Sequence, residues 1–230
     1  MLLKWILHVN SKPLTVSKKS AIVFAPHQDD ETFGCGGIIA LKSAHKIPVK
    51  VVFITDGRLS RPDWIPPKEI IHVRQTEAIN ALGILGLAPS SIYFLNQKDG
   101  SLKQLDSEQR KQLITQLVEL LKLFKPEEVY VPHRQDCHPD HEATYSLVKE
   151  AISASGIPVE ILQYPVWILW QNPLSFHLKL PEISRSYYIS IAEVQDQKKQ
   201  AIACYESQLT TLPHGLIKHF LSDYEIVIKH

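Results

Sequence analysis

Ala21-Ile22-Val23-Phe24-Ala25-Pro26-His27-Gln28-Asp29-Asp30-Glu31 is the stretch whose reading decides the fold. Five apolar residues run without a polar break, which reads as a short strand buried on both faces. Pro26 disfavours the helical region for the residue before it, so Ala25 stays extended and the strand ends there. An imidazole and three carboxylates follow at once. Strands covered on both faces belong to mostly parallel sheets, and such sheets gather their ligands at the carboxyl ends of the strands.

Working outward, the same rhythm continues. Residues 49–54, 91–95, 129–131, 161–170 and 187–191 are further strand candidates, rich in β-branched and aromatic side chains. Between them, residues 36–45, 68–85, 106–124, 141–153 and 193–205 read as helices; the third carries Leu113, Leu117, Leu120, Leu121 and Phe124 at helical spacing. Strand alternating with helix predicts an α/β fold: a Rossmann-like, mostly parallel sheet with helices on both faces. No composition shift or repeat divides the chain. We therefore read residues 1–230 as a single domain, with residues 1–20 as an N-terminal extension that opens in a short helix packed on the body. Residues 61–67, with three prolines and Trp64, read as a loop long enough to be a lid.

Composition narrows the function classes. Lys+Arg is 25 against Asp+Glu 24, a net charge of +1, so no basic footprint for a nucleic-acid partner is expected. Cys35, Cys137 and Cys204 are odd in number and scattered, which predicts no disulfide framework and a reducing, cytoplasmic setting. The first apolar run is too short for a signal peptide, and no run of 18 apolar residues predicts a transmembrane segment. A homo-oligomer stays open.

The first polar cluster, Pro26 to Glu31, crowds like charges that repel unless a cation joins them. Histidine with carboxylate oxygen suits zinc, with iron or another divalent transition ion also fitting. The alternative is a polar helix N-cap. Gly34-Cys35-Gly36-Gly37 is a poor dinucleotide loop, because the third glycine of that pattern is Ile39 here. Those glycines are expected to let the following helix approach the sheet. The second cluster is Cys137-His138-Pro139-Asp140-His141. His138 and His141 are three apart and share a helical face, and Pro139 suits a first helical turn. Asp140 could orient either imidazole. Each cluster follows a strand, and together they supply three ligands plus spare acid and base groups. A catalytic zinc needs that number, one position being left for water. Cys137 is read as a neighbour of this set.

The paired motifs resemble those of the LmbE-like/PIG-L deacetylase family. Its first signature reads Pro26-His27-Gln28-Asp29-Asp30-Glu31 here, and its second His138-Pro139-Asp140-His141. Thr55-Asp56-Gly57, Arg74-Gln75-Thr76-Glu77-Ala78 with Leu82-Gly83, Asp99-Gly100, and Lys199 through Tyr205-Glu206-Ser207-Gln208 match lesser features. Two departures stand out: Gln28 replaces the usual proline, and Tyr205 stands where histidine is common.

The resemblance implies a zinc-dependent N-deacetylase, with one ion per chain, acting on an N-acetylglucosamine-containing small molecule or glycoconjugate. It implies His27, Asp30 and His141 as metal ligands and Asp29 as general base. It implies a protonated His138 stabilising the oxyanion, with Asp140 keeping His138 oriented and charged. Glu31 would hold the loop, and Arg74 and Asp99 would contact substrate. Trp64, Tyr164, Trp167 and Trp170 include candidates for stacking on a sugar. A metal-dependent esterase or phosphoesterase, and a non-catalytic nucleotide- or partner-binding α/β domain, remain as rival readings.

Overall fold

The computed structural model of the protein describes residues 2–170 and 183–229. A helix, α1 (Leu2–Asn10), and a two-residue strand, β1 (Lys12–Pro13), come first. Five parallel strands follow: β2 (Ala21–Ala25), β3 (Val49–Thr55), β4 (Ile92–Gln97), β5 (Glu128–Pro132) and β6 (Glu160–Tyr164). Their connections are α2 (Asp30–Ala44), α3 (Ile70–Ile84), α4 (Ser107–Phe124) and α5 (Pro139–Ser155). Beyond them lie β7 (Ser186–Ser190), α6 (Gln195–Ala203) and β8 (Tyr224–Lys229).

The full sheet runs β1-β7-β8-β6-β5-β2-β3-β4. From β2 the chain winds one way to β3 and β4, and from β5 the other way to β6. The order therefore reverses between β2 and β5, and the crevice at their carboxyl ends is the expected ligand position. Both polar clusters lead out of these two strands.

β2 shows why the sheet is buried on both faces. Ala21, Val23 and Ala25 pack into one apolar cluster with Ile38, Ile39, Val51, Phe53 and Leu82. Ile22 and Phe24 pack into the other with Leu113, Leu117, Leu121, Leu147 and Val148. Side chains alternate across a strand, so a continuous apolar run feeds both layers. Each fully buried aliphatic or Phe side chain contributes roughly 1.5–3 kcal/mol.

Three features differ from the sequence expectation. The helix placed at 36–45 begins at Asp30, so the first polar cluster is itself a helix start. The candidate strand 161–170 stops at Tyr164, because Pro165 cannot donate to a ladder; residues Trp167–Trp170 form a 3-10 turn instead. β8 was not anticipated. It pairs antiparallel with both β6 and β7 and makes the far half of the sheet mixed. Its buried Glu225 interrupts the apolar pattern that marks a buried strand.

Residues 2–13 are built into the body: Leu3 and Leu7 are core residues, and β1 pairs with β7. Met1, the start of the expected N-terminal helix, lies outside the described residues. The glycines of α2 do what their positions implied, since a Cβ on Gly34 would lie 2.2 Å from the Tyr164 ring. Among the described residues no helix is long and apolar enough to cross a membrane.

Candidate metal centre and pocket

His27 leaves the end of β2 with its ring between two sets of carboxylates. Its backbone N–H donates to Asp30 Oδ2 at 3.0 Å, and its Nδ1 lies 3.1 Å from the same oxygen. Nε2 faces Asp99 Oδ1 at 3.1 Å and Asp140 Oδ2 at 3.4 Å. These acceptors place the ring proton on Nε2 and turn the Nδ1 lone pair toward Asp30.

His141 arrives from the first turn of α5 on the other side of the crevice. Its Nδ1 donates to Asp136 Oδ2 at 2.7 Å, and its Nε2 lies 3.2 Å from Asp30 Oδ2. His141 is fully buried, yet Nε2 makes no hydrogen bond. One carboxylate oxygen thus sits between two imidazole lone pairs. That contact is repulsive unless positive charge enters it. Without a cation the rings take up protons. Burial disfavours the charged form of His27, but Asp140, Asp30 and Asp99 outweigh burial and hold its pKa well above the ordinary value. Burial likewise opposes protonation of His141, but Asp30 and Asp136 raise its pKa to about 9. A divalent ion would supply that charge and displace those protons. Ligands roughly 2.0–2.2 Å from a tetrahedral zinc stand about 3.3–3.6 Å apart, close to the separations across Asp30 Oδ2. The residues present therefore fit a metal ion.

His138 is the N-cap of α5, and its Nδ1 accepts from the Asp140 backbone N–H at 3.3 Å. Its nitrogens also come within 4.8 Å of those of His27 and His141, which makes an all-imidazole set geometrically available. Asp30 Oδ2 lies 3.1 and 3.2 Å from the facing nitrogens of His27 and His141, and a cation there would relieve the buried carboxylate. Burial, with the charges of His141 and His27, pushes the His138 pKa down to about 4.

Two expected roles need correction here. Asp140 does not turn its carboxylate to His138. It accepts from the Gly100 and Leu102 backbone N–H groups at 2.7 and 3.2 Å and faces His27. The Asp140 carboxylate therefore does not hold the His138 ring; the contact between the two residues is the Asp140 backbone N–H on His138 Nδ1. Asp99, expected at the substrate, spends one oxygen on His27 and the other on the Leu59 N–H at 2.9 Å, although it also lines the pocket.

Asp29 sits at φ 145°, a backbone region that L-residues rarely adopt and that costs roughly 1–3 kcal/mol. Its backbone N–H donates to Glu31 Oε2 at 3.1 Å, and its carbonyl accepts from Thr32 and Phe33 to open α2. Burial pushes its carboxyl up to about 8; Arg74, 3.5 Å away, opposes this, and Asp30 adds to it. Glu31 holds the turn from behind, accepting from Thr32 and from the Tyr205 hydroxyl. Tyr205 therefore supports the loop from α6's far end. Arg74 is fully buried and donates to the carbonyls of Gly57 at 3.0 Å and Gln28 at 2.8 Å. Gln28 in turn donates to the Thr55 carbonyl at 2.8 Å. It ties the ends of β2 and β3 together and stays buried.

The sequence reading missed Asp136, which orients His141 and caps the turn after β6 through the N–H groups of Val166, Trp167 and Ile168. A carboxylate five residues before a metal-facing histidine was the available signal. It also took Lys199 for the late lysine. The buried one is Lys198, which bonds the Phe33 carbonyl at 2.8 Å and Glu225 at 2.6 Å. Glu225 accepts from Gly37 and Ile38 N–H. This ion pair is thus wedged into the hydrogen-bond ladder of α2, one turn below Asp30.

A cavity of about 370 Å³ opens above the centre, in the size range of small-molecule sites. Asp29, Asp30, Arg74 and Asp99 line its polar end with His27 and His138. Trp167 stacks on His138 at 5.8 Å and forms one wall. Of the other aromatic candidates, Tyr164 is buried in the core, and Trp64 and Trp170 are exposed outside the cavity lining. The expected lid loop begins as an anchored rim. Ser60 meets Thr211 at 3.2 Å and accepts from Gln208 at 3.3 Å, while Arg61 bonds the loop's own carbonyls.

Comparison with known proteins agrees with this geometry. The profile of the PIG-L family, described as GlcNAc-PI de-N-acetylase, matches residues 22–152, a span containing both polar clusters. The chain is 28% identical over 139 residues to the "Probable N-acetyl-alpha-D-glucosaminyl L-malate deacetylase 2" of Bacillus subtilis; that match covers 59% of this chain and 61% of the relative's length. It is 27% identical over 200 residues to the diacetylchitobiose deacetylase of Thermococcus kodakarensis, covering 83% and 70% of the two chains. The fold is similar to that of N,N'-diacetylchitobiose deacetylase from Pyrococcus horikoshii, with TM-score 0.65, 23% identity, and 87% and 73% of the two chains covered.

Proposed function

The chain belongs to the PIG-L family, and on that premise we propose that it hydrolyses the N-acetyl, or another N-acyl, group of an N-acetylglucosamine-containing substrate. One zinc ion per chain would be held by His27, Asp30 and His141; Fe2+ or another divalent ion would suit the same donors. The observation that carries this reading is the orphaned, buried His141 Nε2, 3.2 Å from a carboxylate oxygen that also faces His27. Three free cysteines, Cys35, Cys137 and Cys204, agree with a reducing cytoplasmic setting.

When bound, such an ion acts as a Lewis acid toward the acyl carbonyl and acidifies a water. Asp29 accepts the proton of the attacking water and returns one to the departing amine; a carboxyl pushed upward by burial is suited to both steps. His138 accepts at Nδ1, so its Nε2–H is free to donate to the carbonyl oxygen as charge develops there. Asp99 and Asp140 fix the His27 ring, and Asp136 fixes that of His141. Arg74 locks the two strand-end loops and places Asp29. Trp167 offers an apolar face to the sugar ring.

The test is an amine-release screen against N-acetylglucosaminides, with and without chelator, alongside metal analysis. Metal near one equivalent and chelator-sensitive release are expected. Asp29→Ala should abolish turnover and keep the metal, whereas His141→Ala should lose both. Near-normal activity in the Asp29 variant would remove the base assignment, and two equivalents of metal would favour phosphoester chemistry.

A further inference from the structure

The same cavity carries a statement about the rest of the substrate, and it rests on the deacetylase reading. Its polar end contains three carboxylates, Asp29, Asp30 and Asp99, against one cationic side chain, Arg74. Arg74 is not available to a ligand. Both terminal nitrogens are engaged by backbone carbonyls, and its charge faces Asp29. The arginines of the adjacent rim loop are also committed: Arg58 pairs with Asp56, and Arg61 bonds the carbonyls of Pro62 and Ile65. His138 is neutral. Away from the metal ligands the wall is mostly apolar, with Leu59, Trp167, Leu212 and Pro213 beside the polar Ser60, Gln208 and Thr211. Leu59 is 67% exposed and offers apolar surface at the cavity rim.

From this arrangement we infer that the group attached to the amino sugar is uncharged and apolar, an alkyl or aryl aglycone, not a carboxylate- or phosphate-bearing one. Among the described residues that line the cavity, Arg74 is the one lysine or arginine, and its terminal nitrogens are already engaged. An anionic aglycone would lose its hydration against a mostly apolar wall and meet carboxylates at the polar end. A neutral apolar aglycone instead removes the exposed faces of Leu59, Leu212 and Trp167 from water. The discrimination is therefore partly repulsive, built into the missing cation as much as into the wall.

The experiment compares three probes on the metal-loaded enzyme: p-nitrophenyl, hexyl and L-malyl glycosides of N-acetylglucosamine. The aryl and hexyl probes are expected to exceed the malyl probe by about tenfold or more in kcat/KM, chiefly through KM. Leu212→Lys should raise kcat/KM for the malyl probe and narrow that ratio. Amine release from the malyl probe equal to or faster than from the other two overturns the inference while leaving the deacetylase reading intact. No release from any probe overturns both.

Discussion

Asp136 accepts the Nδ1 proton of His141 at 2.7 Å while its two oxygens also gather three backbone N–H groups from the turn after β6. One carboxylate therefore orients a metal-facing ring and fixes the loop that carries Trp167. Asp136→Asn keeps an acceptor for the turn and removes the charge behind the imidazole. Metal affinity should fall by roughly 10–100-fold, read by competition with a chelator, with little change in thermal stability. Unchanged affinity would show that the partner of His141 is immaterial to the site.

Gly57 sits at φ +66°, and a Cβ there would lie 2.4 Å from Gln28 Oε1 and 2.8 Å from Arg74 Nε. Gly57→Ala should destabilise the protein by about 1–3 kcal/mol and lower kcat, because both displaced side chains hold the Asp29 loop. Gly83→Ala is the control. It lies in α3 with open space around it and should stabilise by about 0.5–1 kcal/mol. Urea denaturation of the two variants beside the parent checks both signs.

Lys198 and Glu225 are both buried, 2.6 Å apart. Removing only the cation leaves an uncompensated carboxylate in the core. Lys198→Met should therefore cost about 3–5 kcal/mol, and the double variant Lys198→Met/Glu225→Gln should cost less than the single one. If the double variant is the less stable by denaturant titration, the pair acts through packing and not through charge.

Lys4 offers a pH test remote from the metal centre. Burial lowers its pKa from 10.5 to about 7, with Lys198 adding to the fall and Glu225 and Asp223 opposing it. Lys4 Nζ also bonds the His219 carbonyl and the Ser222 hydroxyl, and the Tyr224 ring lies 4.6 Å away. Between the two pKa values the unfolded chain binds more protons than the folded one, so stability rises with pH across that window. Below about pH 7 the cost of the buried ammonium is fully present. The parent should thus gain on Lys4→Met by on the order of 1–3 kcal/mol between about pH 7 and about pH 10. A difference that stays flat over that window would mean that Lys4 titrates as an exposed lysine does.

The part of the molecule written in local pattern was legible from the sequence. β2 and the polar cluster after it could be read because an apolar run feeds both faces of a sheet and Pro26 ends it. The convergence of the two clusters followed from placing both at strand ends, while the choice of His27, Asp30 and His141 came from the family resemblance; the structure brings Asp30 and His141 within 3.2 Å. The orientation of side chains between clusters was not legible. Asp140 is next to two histidines in sequence, yet it serves a third, His27, because the Gly100 and Leu102 N–H groups draw its carboxylate across the crevice. Asp99 reached the same ring from 72 residues away, a pairing that no spacing encodes. β8 stayed hidden because Glu225 is buried by pairing with Lys198, and a charge in a strand normally signals solvent.

The position of β8 has a consequence for the order in which the molecule is made. It lies between β6 and β7, although residues 224–229 are synthesised after every other strand. A nascent chain can assemble β2 to β6 as they emerge, but the β1–β7 pair joins the rest of the sheet only when β8 inserts between β7 and β6. Glu225, which seats the middle of α2, arrives in the same step. Both polar clusters are thus translated well before the strand that braces them, so the candidate centre is completed only once β8 has joined the sheet.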